Sequence, residues 1–193
     1  MIALDVDGVL LDFVGHWETV AECVLGFRPT KQTDSFAMSK RYGLPEAAAS
    51  LVWERYRDGL VWGSIPPLPG AVETVQALLN TGRKVVAVTS VPTHAVGHRE
   101  RALAQWFPGV TMYQAESVAP GHKNGEKTKE EWLCILRPLA FIDDRWAHIQ
   151  EGRNAGVPLL ARVYGGHDGG GVPVEGVNEY LTLRGALMGL GML

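Results

Sequence analysis

Two pairs of acidic residues stand out because each pair follows a short apolar run that is typical of a buried strand. Asp5 and Asp7 follow residues 2–4, and Asp143 and Asp144 follow residues 139–142. Carboxylates that gather at one place repel each other, so a cation is expected among them. Oxygen ligands favour a hard ion such as Mg²⁺, which takes one or two carboxylates and a phosphate oxygen. The four carboxylates are therefore predicted to hold Mg²⁺.

A threonine and several lysines complete this group of residues. Thr89 and Ser90 end another apolar run, and Lys123, Lys127 and Lys129 precede the second acidic pair. Hydroxyl and ammonium groups can hold phosphoryl oxygens and balance the charge that develops in phosphoryl transfer. Lys127 is the preferred lysine, while Lys123 and Lys129 stay open as alternatives.

These residues belong to a chain in which strands and helices alternate. Helices are predicted at 71–80, 94–107, 128–136 and 146–155, each supported by apolar spacing or by an end signal such as a capping box at Thr128 and Glu131. The predicted strands are 2–6, 84–89, 110–113, 139–142 and 157–163. Alternation of this kind predicts an α/β fold, with a Rossmann-like parallel sheet of five strands and helices on both faces. The carboxyl ends of its strands share one edge, where ligands bind.

Residues 14–65 break the alternation. They contain two predicted helices, 14–26 and 45–56, and end before a segment with three prolines, which cannot be regular structure. The chain is therefore predicted to consist of an α/β core, 1–13 and 66–193, with a small helical cap inserted at 14–65. The segment GGHDGGG, 165–171, is predicted to be a flexible loop.

The predicted cap is rich in aromatic residues, including three of the six tryptophans. Such rings could stack on a nucleobase, but they could equally form the small core that a cap needs, and the second interpretation is favoured. Phe13 and Trp17 lie nearest to the first acidic pair in sequence and are the stacking candidates. Ser90 and Arg145 are further candidates for contact with a substrate, and His16 is a weaker one.

The overall composition limits the classes of partner. The 193 residues carry a formal charge of −3, which does not favour broad binding to nucleic acid or to a membrane surface. No apolar run reaches the roughly 18 residues of a membrane-spanning helix, and no signal peptide is apparent, so a cytoplasmic location is expected. Cys23 and Cys134 are predicted to be reduced thiols in the core. A homodimer is left open.

The motifs together resemble the haloacid dehalogenase-like superfamily. DVDGVL at 5–10 matches the first motif, Thr89 the second, a lysine the third, and IDDR at 142–145 the fourth. Within the superfamily, the chain is most similar to the 5′(3′)-deoxyribonucleotidase branch. The stretches that carry this resemblance are DVDGVLLDF (5–13), PPLPGAVETVQAL (66–78), TSVP (89–92) and IDDR (142–145).

The resemblance implies a phosphomonoesterase that acts through an aspartyl-phosphate. Asp5 would be the nucleophile, Asp7 the general acid and base, and Thr89 a donor to the phosphoryl group. Mg²⁺ would be held by Asp5, by the backbone carbonyl of Asp7 and by the later acidic pair. Asp144 would be the direct ligand, and Asp143 would lie in the second coordination shell or bind through a water. The implied substrate is a small nucleotide such as a deoxynucleoside monophosphate. A sugar phosphate, a polynucleotide end, or a non-catalytic phospho-receiver or binding protein are the alternatives.

Overall fold

A parallel sheet of six strands organises the computed structural model, which describes residues 1–116 and 127–193. Its strands are β1 (Ile2–Leu4), β2 (Val85–Ser90), β3 (Thr111–Ala115), β4 (Ala140–Asp143), β5 (Leu159–Val163) and β6 (Asn178–Tyr180). The predicted α/β fold is confirmed. The sixth strand was not predicted, because β6 is only three residues long, lies at the sheet edge and has no apolar run.

Helices connect and flank these strands. In chain order they are α1 (Phe13–Leu25), α2 (Met38–Tyr42), α3 (Glu46–Arg55), α4 (Gly59–Gly63), α5 (Ala71–Asn80), α6 (Val96–Trp106), α7 (Lys129–Leu136), α8 (Trp146–Asn154) and α9 (Leu183–Gly189). The capping box predicted at the start of α7 is confirmed. The Thr128 hydroxyl accepts from the Glu131 N–H at 3.1 Å, and the Glu131 carboxylate accepts from the Thr128 N–H at 2.7 Å.

The shortest central strand, β1, is buried on both faces. Ile2 and Leu4 belong to one hydrophobic cluster and Ala3 to a second cluster on the opposite face, as the two-residue repeat of a strand requires. Burial on both faces explains why this strand is a continuous apolar run.

The strand order, β3-β2-β1-β4-β5-β6, places the start of the chain at the middle of the sheet. From β1 the chain winds outward in one direction to β3, and from β4 it winds outward in the other direction to β6. The order therefore reverses between β1 and β4, which pair in parallel with Leu4 opposite Ile142. In open parallel sheets this switch point opens a crevice at the carboxyl ends of the two strands.

The helices α1 to α4 lie between β1 and α5 in the chain. Several of their side chains, among them Trp17, Tyr42 and Trp62, share one hydrophobic cluster with Ile2 and Leu4 of the sheet. The four helices are thus packed on the sheet through a continuous apolar contact. The division of the chain into a core and a cap at 14–65 stays a prediction.

The two cysteines differ from expectation. Cys23 on α1 and Cys134 on α7 are free, but both are exposed, so the prediction that they lie in the core was wrong. On α1 the buried face is made by Trp17 and Ala21, and Cys23 lies on the other side. Within the described parts of the chain, no helix is both long and apolar enough to cross a membrane.

Candidate active site

The two acidic pairs meet at the switch point. The Asp5 N–H donates to the Ile142 carbonyl at 2.9 Å, which joins the end of β1 to the end of β4. Gly8 turns the chain with φ +79°, and a Cβ there would lie 2.2 Å from Oδ2 of Asp144. Only glycine therefore fits between the loop after β1 and the Asp144 carboxylate. The end of β1 and Asp144, which are far apart in the sequence, therefore lie next to each other, as predicted.

A lysine joins the two pairs, and it is Lys129. Its Nζ lies 2.8 Å from Oδ1 of Asp5 and 2.7 Å from Oδ2 of Asp143, and all three side chains are buried. The preferred lysine of the sequence, Lys127, lies elsewhere, with its Nζ 5.3 Å from the centroid of the Trp132 ring. The assignment of Lys127 is therefore corrected to Lys129. Lys123 lies outside the described residues.

The pKa values in this triad follow from burial and from charge. Burial is the largest cause that raises the pKa of Asp5, to about 6, and the nearby Asp143 raises it further while Lys129 opposes both. Burial acts in the same direction on Asp143, but His148 and Lys129 together hold its pKa below the ordinary value. The two carboxylates raise the pKa of Lys129 against the effect of burial. Lys129 thus stays charged, and Asp143 is the more firmly ionised carboxylate.

Both carboxylate oxygens of Asp143 are engaged by hydrogen-bond donors. Its Oδ1 accepts from the Arg145 N–H at 2.9 Å and lies 3.1 Å from Nδ1 of His148, while Lys129 engages Oδ2. His148 is a buried residue on the first turn of α8 that the sequence did not single out. Asp5, Asp143 and His148 offer potential metal-ligand atoms that lie within 4.8 Å of one another.

Asp144 has a different partner, which comes from the glycine-rich segment 165–171. Nε2 of His167 lies 2.8 Å from Oδ2 of Asp144, and Nδ1 of His167 accepts from the Gly169 N–H at 2.9 Å. Because a backbone N–H can only donate, Nδ1 is unprotonated and Nε2 carries the hydrogen that goes to Asp144. Burial, followed by Arg162 and Arg41, lowers the pKa of His167 to about 4, so the ring is neutral near pH 7. The segment predicted as a flexible loop is therefore packed against the site.

Asp7 is held by Arg99. Nη2 of Arg99 lies 2.9 Å from Oδ1 and 3.1 Å from Oδ2 of Asp7. Arg99 is on α6 and has no exposed surface, whereas the Asp7 side chain is 23% exposed. Burial raises the pKa of Asp7 above its ordinary value, and Arg99 is the main group that opposes this shift.

Thr89 and Ser90 lie at the end of β2, the strand next to β1. Thr89 is buried at the end of a strand that pairs in parallel with β1, the strand that Asp5 and Asp7 follow. The Ser90 hydroxyl donates to the Glu116 carbonyl at 3.0 Å, so this bond must break before Ser90 can donate to a substrate.

The aromatic and arginine candidates have mixed outcomes. Trp17 is fully buried, and its ring stacks on Tyr42 with centroids 5.2 Å apart. It cannot contact a substrate, so its assignment as a stacking residue is corrected to core packing. Phe13 is partly exposed and lies 5.8 Å from the Trp62 ring. The Arg145 guanidinium covers the Phe36 ring at 4.3 Å, and contacts of Phe13 and Arg145 with substrate stay predictions.

His16, the weaker candidate, is fully engaged. Its Nδ1 lies 3.0 Å from the Tyr56 hydroxyl and its Nε2 lies 3.0 Å from the Ser64 hydroxyl. Burial is the largest cause that lowers its pKa, and Arg99 acts in the same direction. The ring therefore ties α1 to the ends of α3 and α4 as a neutral group.

The residues fit a hard divalent cation. Asp144 has no lysine or arginine in ion-pair contact within the parts of the chain that the structure describes, and its one imidazole partner is neutral. Its pKa is raised by burial, then by Asp143 and Asp5, which means that three carboxylate charges oppose each other here. Oxygen donors with unbalanced negative charge are the donor set that Mg²⁺ takes. Asp5 and Asp144 have the oxygens to hold it, whereas Asp143 is already engaged by other donors.

Three residues of this site were missed or ranked low from the sequence, namely Arg99, His148 and His167. For Arg99 a signal existed, since it lies on the apolar stripe of α6 between Ala95 and Ala102, where a charge needs a partner. His148 lies one turn into the helix that follows the second acidic pair. His167 stands alone in a glycine-rich segment and gave no such signal.

Comparison with known proteins supports the fold. No family model matches the chain, and no curated protein matches it. Among solved structures, the chain is similar to a HAD family hydrolase from Deinococcus radiodurans R1 with bound phosphate and sodium. The TM-score is 0.61 and the identity 19%, over 100% of this chain and 96% of that one.

Two further structures give the same result. A protein named as a phosphoglycolate phosphatase from Lactobacillus delbrueckii subsp. bulgaricus has a TM-score of 0.59 at 18% identity, with 98% of each chain covered. A protein named as a β-phosphoglucomutase from Thermotoga maritima has a TM-score of 0.56 at 18% identity, over 100% of this chain and 98% of that one. At these identities the likeness shows the fold alone, which is that of HAD-family hydrolases.

Proposed function

We propose that this chain is a Mg²⁺-dependent phosphomonoesterase of the haloacid dehalogenase-like superfamily, with Asp5 as its nucleophile. The observation that carries the proposal is the buried bridge from Lys129 to Asp5 and Asp143, beside Asp144, at the switch point of a parallel sheet. An amine that holds two carboxylates in place at the carboxyl ends of two parallel strands suits the transfer of an anionic phosphoryl group. The fold shared with HAD-family hydrolases agrees with this chemistry.

The proposed reaction has two steps. An oxygen of Asp5 attacks phosphorus, the bond from phosphorus to the leaving oxygen breaks, and Asp7 gives its proton to that oxygen. Water then attacks the phosphorus of the aspartyl-phosphate and loses a proton to Asp7, which releases inorganic phosphate and restores Asp5. Lys129 balances negative charge on the transferred group, and Thr89 donates a hydrogen bond to it. His148 and Lys129 orient Asp143 throughout.

Magnesium is the proposed cofactor. Asp5, the backbone carbonyl of Asp7, and Asp144 would hold it, with Asp143 behind them and His167 orienting Asp144. When bound, the ion supplies positive charge to the phosphoryl oxygens. The choice of Asp144 over Asp143 as the direct ligand is supported by their contacts, since both oxygens of Asp143 already accept hydrogen bonds from other residues.

The proposed substrate is a small phosphomonoester, with the helices at 14–65 as a cap over the crevice. A deoxynucleoside monophosphate is the finer proposal, and it rests on the sequence resemblance. The burial of Trp17 removes one of its two stacking candidates. A sugar phosphate is therefore the second candidate, favoured by the similar fold of the protein named as a β-phosphoglucomutase. A cytoplasmic location and a homodimer also remain proposals.

Steady-state hydrolysis tests the reaction. Purified protein with Mg²⁺ is expected to turn over para-nitrophenyl phosphate many times per active site, and EDTA is expected to abolish turnover. Asp5→Asn should be inactive while its circular dichroism spectrum is unchanged, and Asp34→Asn, at an exposed acid paired with Lys31, should be active. A wild-type rate in Asp5→Asn would exclude Asp5 as nucleophile. Phosphorylation without turnover would favour a phospho-receiver.

A substrate panel tests the finer proposal. It should contain 5′ and 3′ deoxynucleotides, ribonucleotides, sugar 1- and 6-phosphates and a 3′-phosphorylated oligonucleotide. The nucleotidase proposal expects the highest kcat/KM for a deoxynucleotide. If sugar phosphates rank first, the second candidate replaces it and the phosphatase proposal stands.

A further inference from the structure

Arg99 is a fully buried arginine whose charge is directed at the candidate general acid. Nη2 donates a hydrogen bond to Oδ2 of Asp7 at 3.1 Å and lies 2.9 Å from Oδ1, which is buried and accepts no hydrogen bond from the described residues. The Cζ atom lies 5.5 Å from the centroid of the Trp62 ring, so the face of the guanidinium is covered by an aromatic side chain. Nε and Nη1 are buried and have no hydrogen-bond partner among residues 1–116 and 127–193. Asp7 is therefore the acidic partner that the structure gives to this cation.

Packing alone does not explain an arginine at this position. Its neighbours on the same face of α6 are Ala95, Ala102 and Leu103, all buried and apolar. Removing a guanidinium from water is costly, and an apolar side chain of similar volume often serves stability as well or better. An arginine with two unused donors is a poor solution for the core alone. Its role must therefore lie with Asp7, whose side chain reaches the solvent-accessible site.

The other groups that interact with Asp7 through charge are His16, Tyr56 and Lys129, and each has another hydrogen-bond or ion-pair partner. His16 bonds to Tyr56 and Ser64 through its two ring nitrogens. Lys129 is committed to Asp5 and Asp143. Arg99 is thus the group that fixes where the Asp7 carboxylate points.

We propose that Arg99 is a positioning residue for Asp7. Through a hydrogen bond to Oδ2 and an ionic contact with Oδ1, it holds Asp7 in the orientation from which a proton is delivered to the leaving oxygen. This inference rests on the proposed function and concerns its first step, in which the bond from Asp5 to phosphorus forms and the bond to the leaving oxygen breaks. A carboxylate that is free to rotate would deliver that proton less often.

The proposal predicts a dependence on the leaving group that a purely structural role would not produce. An alkyl phosphate needs a proton on its leaving oxygen, whereas para-nitrophenolate leaves without one. Arg99→Met is expected to lower kcat/KM for an alkyl phosphate by about 10²-fold, the order expected for a misplaced catalytic group. For para-nitrophenyl phosphate the loss should stay within about 10-fold, since general acid catalysis contributes little there. The ratio kcat/KM is used because it reports the steps up to formation of the aspartyl-phosphate.

A double-mutant cycle closes the test. In an Asp7→Asn background, Arg99→Met should cause no further loss with either substrate, because the residue through which it acts is gone. Arg99→Lys should fall between wild type and Arg99→Met and show the same leaving-group dependence. Arg101→Met, at an exposed arginine two positions along the same helix, should match wild type.

Three results would overturn the proposal. They are an unchanged kcat/KM in Arg99→Met, an equal loss with both substrates, and an undiminished effect of Arg99→Met in the Asp7→Asn background. If Arg99→Met does not fold, as judged by circular dichroism, Arg99→Lys carries the same comparisons. An inactive wild-type protein would instead refute the proposed function, so the two failures are distinguishable.

Discussion

Lys129 and Asp5 form a buried ion pair in which Nζ and Oδ1 are 2.8 Å apart and the side chains are 2% and 7% exposed. The same amine reaches Asp143 at 2.7 Å. Two carboxylates that are far apart in the sequence therefore share one cation. Removing that cation would leave two buried negative charges facing each other.

Substitution of this lysine should affect both activity and stability. Lys129→Met is expected to lower kcat by about 10²- to 10³-fold, the usual effect of losing one donor to a developing charge. It should also lower the free energy of unfolding in EDTA by about 3–5 kcal/mol, because a buried pair loses one partner. Lys127→Met is the matched control and should resemble wild type. Steady-state kinetics and urea denaturation measure both effects in both variants. Losses in Lys127→Met with a wild-type result in Lys129→Met would favour Lys127 as the active-site lysine.

Substitutions at two glycines with nearly the same φ distinguish a steric clash in the site from backbone strain alone. Gly8 and Gly82 have φ of +79° and +78°. A Cβ at Gly8 would clash with Asp144, whereas a Cβ at Gly82 would meet no described atom within 4 Å beyond its chain neighbours. Gly82→Ala should cost about 1–2 kcal/mol of stability, from left-handed strain, with kcat unchanged. Gly8→Ala should in addition displace Asp144 and abolish Mg²⁺-dependent activity. Activity in Gly8→Ala equal to that of Gly82→Ala would contradict the placement of Asp144.

Stability without metal should depend on pH through His167. Its pKa is about 4 in the folded protein and near 6.5 in the unfolded chain. Between these values His167 binds a proton in the unfolded chain but not in the folded protein, so its contribution to the free energy of unfolding falls as the pH falls from 6.5 toward 4. Asp5, whose pKa is raised to about 6, acts in the opposite direction. The contribution of His167 reaches roughly 3 kcal/mol. Denaturation in EDTA at several pH values should show that His167→Gln gains stability relative to wild type as the pH falls through this range, and a difference that does not change with pH would contradict a neutral buried ring.

Tryptophan substitutions distinguish the core from a binding surface. Trp17→Ala is expected to lower the free energy of unfolding by about 3–5 kcal/mol, because the ring is fully buried against Tyr42. The preference among phosphomonoesters should not change. Trp53→Ala, at a ring that is 39% exposed, should cost less stability. A changed substrate preference with wild-type stability in Trp17→Ala would reinstate Trp17 as a contact residue.

The sheet and the acidic pairs could be predicted because they depend on local patterns. Strands that are buried on both faces have continuous apolar runs in their sequence, and parallel strands have their carboxyl ends at one edge of the sheet. Asp5, Asp7 and Asp144 could therefore be brought together from the sequence. The edge strand β6 has no such pattern and was missed.

The remaining site residues depend on contacts between elements. Lys127 and Lys129 differ only in position relative to Thr128, the N-cap of α7, and the orientation of that helix decides which one points inward. His167 comes from a segment whose composition predicts only a loop, and Asp144 is what orders its side chain. Neither the inward orientation of Lys129 nor the contact of His167 with Asp144 can be predicted from a short stretch of sequence.

The position of β1 at the centre of the sheet has a kinetic consequence. Ile2 pairs with Val85 on one side and with Ala140 on the other, so both neighbours of the central strand are far away in sequence. Closing such long loops is slow, and it must precede the assembly of the nucleophile's surroundings. Until β2 and β4 have both formed, the apolar strand β1 therefore lacks a partner on at least one side. Helices α1 to α4, which share its hydrophobic cluster, are the earliest surface that could shield it from aggregation.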